Sequence, residues 1–372
     1  MAPLKLGMVG GGQGAFIGGV HRMAARLDGC FDLVAGAFSS DPARAHASAA
    51  ELGIDAHRSY ADFNEMARAE AARSDGIDAV SIVTPNHLHG PIAEAFLAHD
   101  ISVICDKPMT ATLAQAESLM TAAQTSKGYF FLTHNYTGYP MIRQARQMVA
   151  DGALGKIRIV EANYLQDWLS ETPAEDNKQA KWRLDAAQSG GGAIGDIGTH
   201  AHNLACFVSG LRATSLSATL TSHVAGRLVD DDARVTLQFE GGARGHIWAS
   251  QVAIGNENNL TLAVYGTKGS LRWAQENPNA LWFTELGKPP QLITRGGGSA
   301  NIAAAAVTRI PAGHPEGYLE AFATLYREAA DVITTQDRSA ATIGINDGLD
   351  GVRFVDACQR SSRDRASWID LR

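Results

Sequence analysis

The first third of the chain alternates short apolar runs with helix-period segments. Leu4 to Val9 reads as a buried strand, and the segment after it as a helix ending near Leu27. Asp32 to Ala37 is a second strand, and Asp41-Pro42 opens a second helix, with Asp41 as N-cap and Gly53 just past its end. Asp62 to Ala72 has a helical pattern, Ala79 to Val83 and Ser102 to Cys105 read as strands, and Thr112 to Gln115 makes a capping box. Tyr129 to Thr133 completes the series. Such alternation predicts an α/β Rossmann domain, a doubly wound parallel sheet, over residues 1–135.

The pattern changes after Asn135. A helix is expected at Met141 to Ala150 and a strand at Ile157 to Asn163. From Ser215 strands dominate: Ser215 to Ser222, Arg234 to Phe239, Arg244 to Ala249, Leu260 to Tyr265 and Ser270 to Trp273. Glycine turns at Gly241-Gly242 and Lys268-Gly269 suggest antiparallel hairpins. A last helix is expected from Leu319 to Ile333. Residues 136–372 therefore read as an α+β domain with an open, largely antiparallel sheet.

Composition narrows the function classes. The 372 residues, 45% hydrophobic and 19% charged, describe an ordinary globular protein. A formal charge of −7 argues against nucleic acid as a partner, and no basic cluster or long apolar run points to a membrane. The four cysteines are widely spaced without a CxxC, as expected of reduced thiols, and the start lacks a signal core, so a cytoplasmic location is expected.

Candidate chemistry gathers where strands end. Gly10, Gly12 and Ala15 fit G-x-G-x-x-G/A directly after the first strand, and Gln13, Phe16 and Ile17 open the helix that follows. There glycines permit a tight turn and close approach to a pyrophosphate at a helix N-terminus. Past the second strand stand Ser39, Ser40 and Arg44 rather than an acidic residue. They could face a ribose diol or a 2′-phosphate, which leaves NAD (slightly favoured) and NADP both open. Thr84, Pro85, Asn86 and His89 follow the third strand beside the expected cofactor, although His87 and His89 could equally be cap or surface residues. Asp106-Lys107-Pro108 follows the fourth strand, where the sheet would hold the Lys107 ammonium ready to polarise a hydroxyl or carry a proton.

In the second half, Gly190-Gly191-Gly192-Ala193-Ile194-Gly195-Asp196-Ile197-Gly198-Thr199-His200 sets an acid and a base at i and i+4. If a helix starts near Asp196, both lie on one face, a general-base arrangement; the alternative is a flexible loop with Asp196 as a cap. Within Gln179 to Arg183, Trp182 could pack on a sugar face and Arg183 bind hydroxyls, or the segment could be a surface loop. His314 could border a substrate cleft, or Glu316 could simply favour the helix start. Asp230-Asp231-Asp232 reads as a solvated turn, and no metal site is expected.

These motifs, in order and spacing, resemble the Gfo/Idh/MocA family of nicotinamide-dependent sugar and inositol oxidoreductases. The resemblance covers most of the chain and rests on Gly10-x-Gly12, Thr84-Pro85-Asn86-x-x-His89, Asp106-Lys107-Pro108 and Gly190-Gly191-Gly192-x-x-x-Asp196-x-Gly198-x-His200. It implies Lys107, Asp196 and His200 as catalytic residues, and adds Asp106 and Lys107 to the cofactor-binding set. Lys107, Asn135, Tyr136, Trp182, Arg183, Asp196, His200 and His314 are the residues expected to bind substrate. Two departures stand out: Asp106 replaces the usual glutamate, shortening its reach, and Asn203 stands where relatives often carry aspartate. The implied activity is oxidation of a secondary hydroxyl on a sugar, sugar derivative or inositol, by a homodimer or homotetramer formed through the C-terminal sheet. Redox-assisted glycoside hydrolysis on the same fold is the alternative, and a non-catalytic dinucleotide sensor a further one.

Overall fold

The structure is a computed structural model that describes residues 2–172, 174, 182–337 and 343–371. The chain forms two compact units, Met1–Asn135 with Phe322–Asp350, and Tyr136–Ala321 with Gly351–Arg372. Chain order would put 322–350 with the second domain. Those residues instead join the first, because Phe322 and Tyr326 are buried against His21, and Tyr326 also meets Phe31.

The first unit is built on a five-stranded parallel sheet, ordered β2-β1-β3-β4-β5. Its strands are β1 (Leu4–Gly10), β2 (Phe31–Ala37), β3 (Ala79–Val83), β4 (Ser102–Cys105) and β5 (Phe130–Leu132). The helices between them are α1 (Phe16–Leu27), α2 (Pro42–Glu51), α3 (Phe63–Ala71), α4 (His89–Leu97) and α5 (Leu113–Thr125). Every residue of β3 and β4 is buried, as expected of parallel strands covered on both faces. The side chains of Asp41, Asp62 and Thr112 accept from the main-chain N–H groups of Arg44, Glu65 and Gln115, but the expected capping box is only half made, because the Gln115 side chain donates to the His87 carbonyl instead.

The second unit holds a nine-stranded sheet, ordered β13-β12-β11-β10-β6-β9-β8-β7-β14. The strands are β6 (Ile157–Leu165), β7 (Ala213–Thr221), β8 (Asp232–Phe239), β9 (Arg244–Ser250), β10 (Asn259–Gly266), β11 (Gly269–Ala274), β12 (Ala280–Glu285), β13 (Gln291–Thr294) and β14 (Ile369–Asp370). All neighbours pair antiparallel except β6 with β9. Helices α6 (Pro140–Ala150) and α7 (Thr199–Ser209) pack on this sheet, and α8 (Tyr318–Thr335) and α9 (Ile345–Arg363) follow. Strands β12 to β14 and helix α9 go beyond the pattern-based expectation. The short outer strands β12 and β13 bury few residues, so they carry little of the alternation that marks a half-buried strand.

Candidate active site

In the first unit, β1 ends in a glycine turn. Gly10 has φ +82°, and a Cβ on Gly12 would lie 2.8 Å from the Phe38 carbonyl oxygen. Gly18 lies so near the turn that a Cβ there would sit 2.4 Å from Gly11 Cα, so glycines here set the approach of α1 to the sheet. The N-cap of α1, Ala15, offers no side-chain acceptor, and the first turn has no acidic residue. The main-chain donors at that end are thus left for an anion. Phe16 is exposed, Ile17 half-buried, and Gln13 bonds Glu51 through its side chain, with Nε2 to Oε2 at 2.9 Å. At the end of β2, Ser39 Oγ accepts from the Asp41 N–H, while Ser40 and Arg44 are exposed. These residues fit a dinucleotide with its phosphates at α1.

The turns after β3 and β4 are joined from below. His89 is fully buried, with Nδ1 2.7 Å from the Pro108 carbonyl and Nε2 2.9 Å from that of Thr84. Burial lowers its pKa against the pull of those carbonyls and of Asp106. His89 therefore ties the Thr84-Pro85-Asn86 turn to Asp106-Lys107-Pro108 from beneath rather than standing on either surface, so neither the cap nor the surface reading applies. Asn86 is buried, whereas Thr84 and Pro85 are half-buried.

Asp106 Oδ1 accepts from the Lys107 N–H at 2.9 Å and the Thr133 hydroxyl at 3.0 Å. His21 Nε2 stands 3.8 Å from the same oxygen. Burial pushes this carboxyl up, but His21, Lys107 and His89 outweigh it and hold the group at about 2. The shorter acid is thus used inward, on the main chain of Lys107 and on the core. Lys107 is half-buried at the carboxyl end of β4. Asn135 is buried just after β5, and its side-chain nitrogen has no hydrogen-bond partner among the described residues.

In the second unit the glycine stretch is packed, not loose. A Cβ on Gly192 would fall 1.8 Å from the Asp230 carbonyl oxygen. The Asp230 carboxylate accepts from Gly192 N–H at 2.9 Å and Ile194 N–H at 2.8 Å. Burial lifts its pKa to about 6 despite those two donors. Asp231 is buried, paired with Arg227 at 3.1 Å and accepting from the His223 and Val224 N–H groups. The solvated-turn reading of Asp230 to Asp232 is therefore wrong: Asp231 is buried and Asp230 and Asp232 are half-buried, with main-chain donors and an arginine satisfying the first two.

That clamp leads into a π-helical turn, Ile194–Gly198, which continues directly as α7. Such turns occur often at functional sites. Asp196 and His200 lie on this continuous helical run. Asp196 Oδ2 accepts from Gln251 Nε2 at 2.9 Å and Arg183 Nε at 3.3 Å. Arg183 in turn lies over the Trp182 ring, 4.3 Å from its centroid. The expected segment's other residues, Gln179 to Lys181, lie outside those described. His200 is buried with its ring edge-on to Tyr136, centroids 4.8 Å apart. The Tyr136 and Tyr164 hydroxyls bond each other, and Tyr164 donates to Asn258 Oδ1 at 2.7 Å. Burial raises the pKa of both phenols, so both hydroxyls keep their protons at neutral pH.

Arg183, Asp196, His200 and Tyr136 are thus brought together, and Trp182 comes with Arg183. His314 is exposed, and what ties it into the fold is its carbonyl oxygen, which accepts from the buried Arg295. Glu316 is buried, paired with Arg295 at 2.9 Å and accepting from the Arg309 and Ile310 N–H groups, rather than favouring a helix start. Sequence reasoning missed Gln251 and His21. Gln251 follows the end of β9 with nothing local to mark it, whereas His21 offered one signal, a histidine on the apolar face of α1.

Comparison with known proteins places this geometry in a class. Residues 4–134 match an oxidoreductase family with an NAD-binding Rossmann fold, and residues 142–272 match the GFO/IDH/MocA C-terminal domain. The chain belongs to the Gfo/Idh/MocA oxidoreductases and is an NAD(P)-dependent enzyme. Among similar solved structures, an oxidoreductase from Sinorhizobium meliloti is 52% identical with a TM-score of 0.91, covering 99% of this chain and 100% of that one. An inositol dehydrogenase homolog from Azotobacter vinelandii, complexed with NADH and myo-inositol, is 37% identical with a TM-score of 0.93, covering 99% and 97%. Levoglucosan dehydrogenase of Pseudarthrobacter phenanthrenivorans is 28% identical over 305 residues, 76% of each chain.

Proposed function

We propose that this enzyme oxidises a secondary hydroxyl of a cyclic polyol or sugar. The observation that carries this reading is the anchored pair on the π-turn and α7: Asp196, held by Gln251 and Arg183, one turn before the buried His200. His200 takes the hydroxyl proton at its imidazole. Asp196 orients that ring or binds a neighbouring hydroxyl, and Arg183 and Trp182 add a cation and a flat apolar face for the ring of the substrate. Lys107, after β4, is the cation assigned to polarise a substrate hydroxyl and to stabilise developing alkoxide charge. The bound nicotinamide supplies the hydride acceptor.

Relatives named as dehydrogenases of levoglucosan and of inositol support net oxidation over redox-assisted glycoside cleavage. The test is turnover of myo-inositol, levoglucosan and common aldoses with NAD and with NADP, followed by absorbance of the reduced cofactor. Net reduction that is lost in Lys107→Ala and His200→Ala is expected. Near wild-type turnover in both variants, with cofactor still bound, would sink the assignment. A cytoplasmic homo-oligomer accords with the chain. No described helix is long and apolar enough to cross a membrane, and Ile159, Trp282 and Leu292 lie exposed on one face of the large sheet. Light scattering would test the assembly.

A further inference from the structure

Four polar side chains meet inside the first unit, where an ordinary core would hold apolar ones. Ser81 is fully buried in the middle of β3, between Val80 and Ile82. His21 is fully buried on α1, and Tyr326, 1% exposed, comes from α8 far along the chain. Asp106 stands at the end of β4. Tyr326 Oη lies 2.9 Å from His21 Nδ1 and 2.9 Å from Ser81 Oγ, which is itself 3.3 Å from Nδ1. The other ring nitrogen, Nε2, has no hydrogen-bond partner among the described residues and faces Asp106 Oδ1 at 3.8 Å.

One order of donors and acceptors satisfies the whole row. A carboxylate only accepts, so Nε2 must carry the proton that faces it. A neutral imidazole then accepts at Nδ1, so Tyr326 donates to His21 and Ser81 donates to Tyr326. Burying these groups is costly unless their bonds are made, and this order makes them. The row ends on the carboxylate that receives the Lys107 N–H and the Thr133 hydroxyl, with His89, Lys107 and Cys105 as further titratable groups around it.

We infer that His21 is a positioning residue, locked by Tyr326 and Ser81 in the tautomer with its proton on Nε2, which fixes the Asp106 carboxylate and through it the placement of Lys107. This rests on the role of Lys107 proposed above. It also gives the excursion of residues 322–350 into the first unit a purpose, since Tyr326 closes the row.

The test uses the full-length enzyme with NAD and myo-inositol. His21→Leu removes the donor. His21→Gln keeps an amide donor toward Asp106 and an oxygen that can accept from Tyr326. Misplacing Lys107 should lower kcat in His21→Leu by about 10-fold or more, and His21→Gln should recover most of that loss. The Kd of NAD should stay near wild type in both. Histidine-selective ¹⁵N NMR of the ligand-free protein provides a second measurement, with the His21 signal assigned by its loss in His21→Gln. The Nε2-protonated tautomer in wild type, disturbed in Tyr326→Phe, supports the inference. The opposite tautomer, wild-type kcat in His21→Leu, or a His21→Gln enzyme no better than His21→Leu overturns it. If His21→Leu does not fold, the tautomer and the activities of His21→Gln and Tyr326→Phe still decide. Lys107→Ala is the control: turnover there refutes the role of Lys107, while a dead Lys107→Ala beside a fully active His21→Leu refutes only the role of His21.

Discussion

The two units position their chemistry by different means. In the first, the polar residues of interest follow buried parallel strands, and one rule of such sheets places them together: Gly10 to Ala15 after β1, Thr84 after β3, Lys107 after β4. In the second, no strand end delivers Asp196 or His200. A glycine turn pressed against Asp230 starts the helical run, and Gln251, just past the end of β9, holds Asp196. A sheet edge supplies positions by topology, whereas an isolated turn needs partners recruited from distant parts of the chain.

Substitutions can break this contrast. The largest effect is expected from Lys107→Ala and His200→Ala, one from each unit, each lowering kcat by about 10²- to 10⁴-fold with cofactor binding kept. Steady-state kinetics beside NAD titration would check it. Gly192→Ala should come next. Its Cβ would fall 1.8 Å from the Asp230 carbonyl, so the turn must move. We expect a loss of about 3 kcal/mol or more by denaturant unfolding, together with reduced turnover. If the variant is as stable as wild type, the packed-turn account fails.

Asp106 gives a pH-dependent case. Its carboxyl is lowered from 3.8 to about 2 in the folded protein. A depressed folded pKa means that the ionised group stabilises above the unfolded value, and that this contribution is lost as pH falls toward the folded value. The shift corresponds to about 2 kcal/mol at neutral pH. Asp106→Asn should cost on that order at pH 6, and roughly half as much near pH 3. A cost that does not change between those two pH values would contradict the lowered Asp106 carboxyl. Gln251→Leu should have the smallest effect, leaving Asp196 with one donor fewer. A fall in kcat/KM of about 10-fold is expected, with little change in melting temperature. Unchanged kcat/KM would show that Asp196 is held without Gln251.

The elements of the first unit could be read almost residue by residue, because caps, glycine turns and apolar runs are local signals. Asp41, Asp62 and Thr112 cap their helices through main-chain groups only a few residues away. The candidate chemistry was legible for the same reason: Lys107, Asp196 and His200 carry their spacing with them. The reading of Asp230 to Asp232 failed because charge alone suggests solvent, whereas the donors that allow burial, at Gly192, Ile194 and Arg227, could not be assigned to it from the sequence.

The sequence by itself thus determined most of the strands and helices of the first unit, where a glycine turn suited to a dinucleotide lies, and which acid, base and lysine are candidates for the chemistry. Only the tertiary structure decided what holds them. The pairing of Tyr326 with His21 spans 305 positions, and that of Gln251 with Asp196 spans 55. No local pattern encodes such partners, because a buried polar group is satisfied by whatever donor the folded chain brings to it.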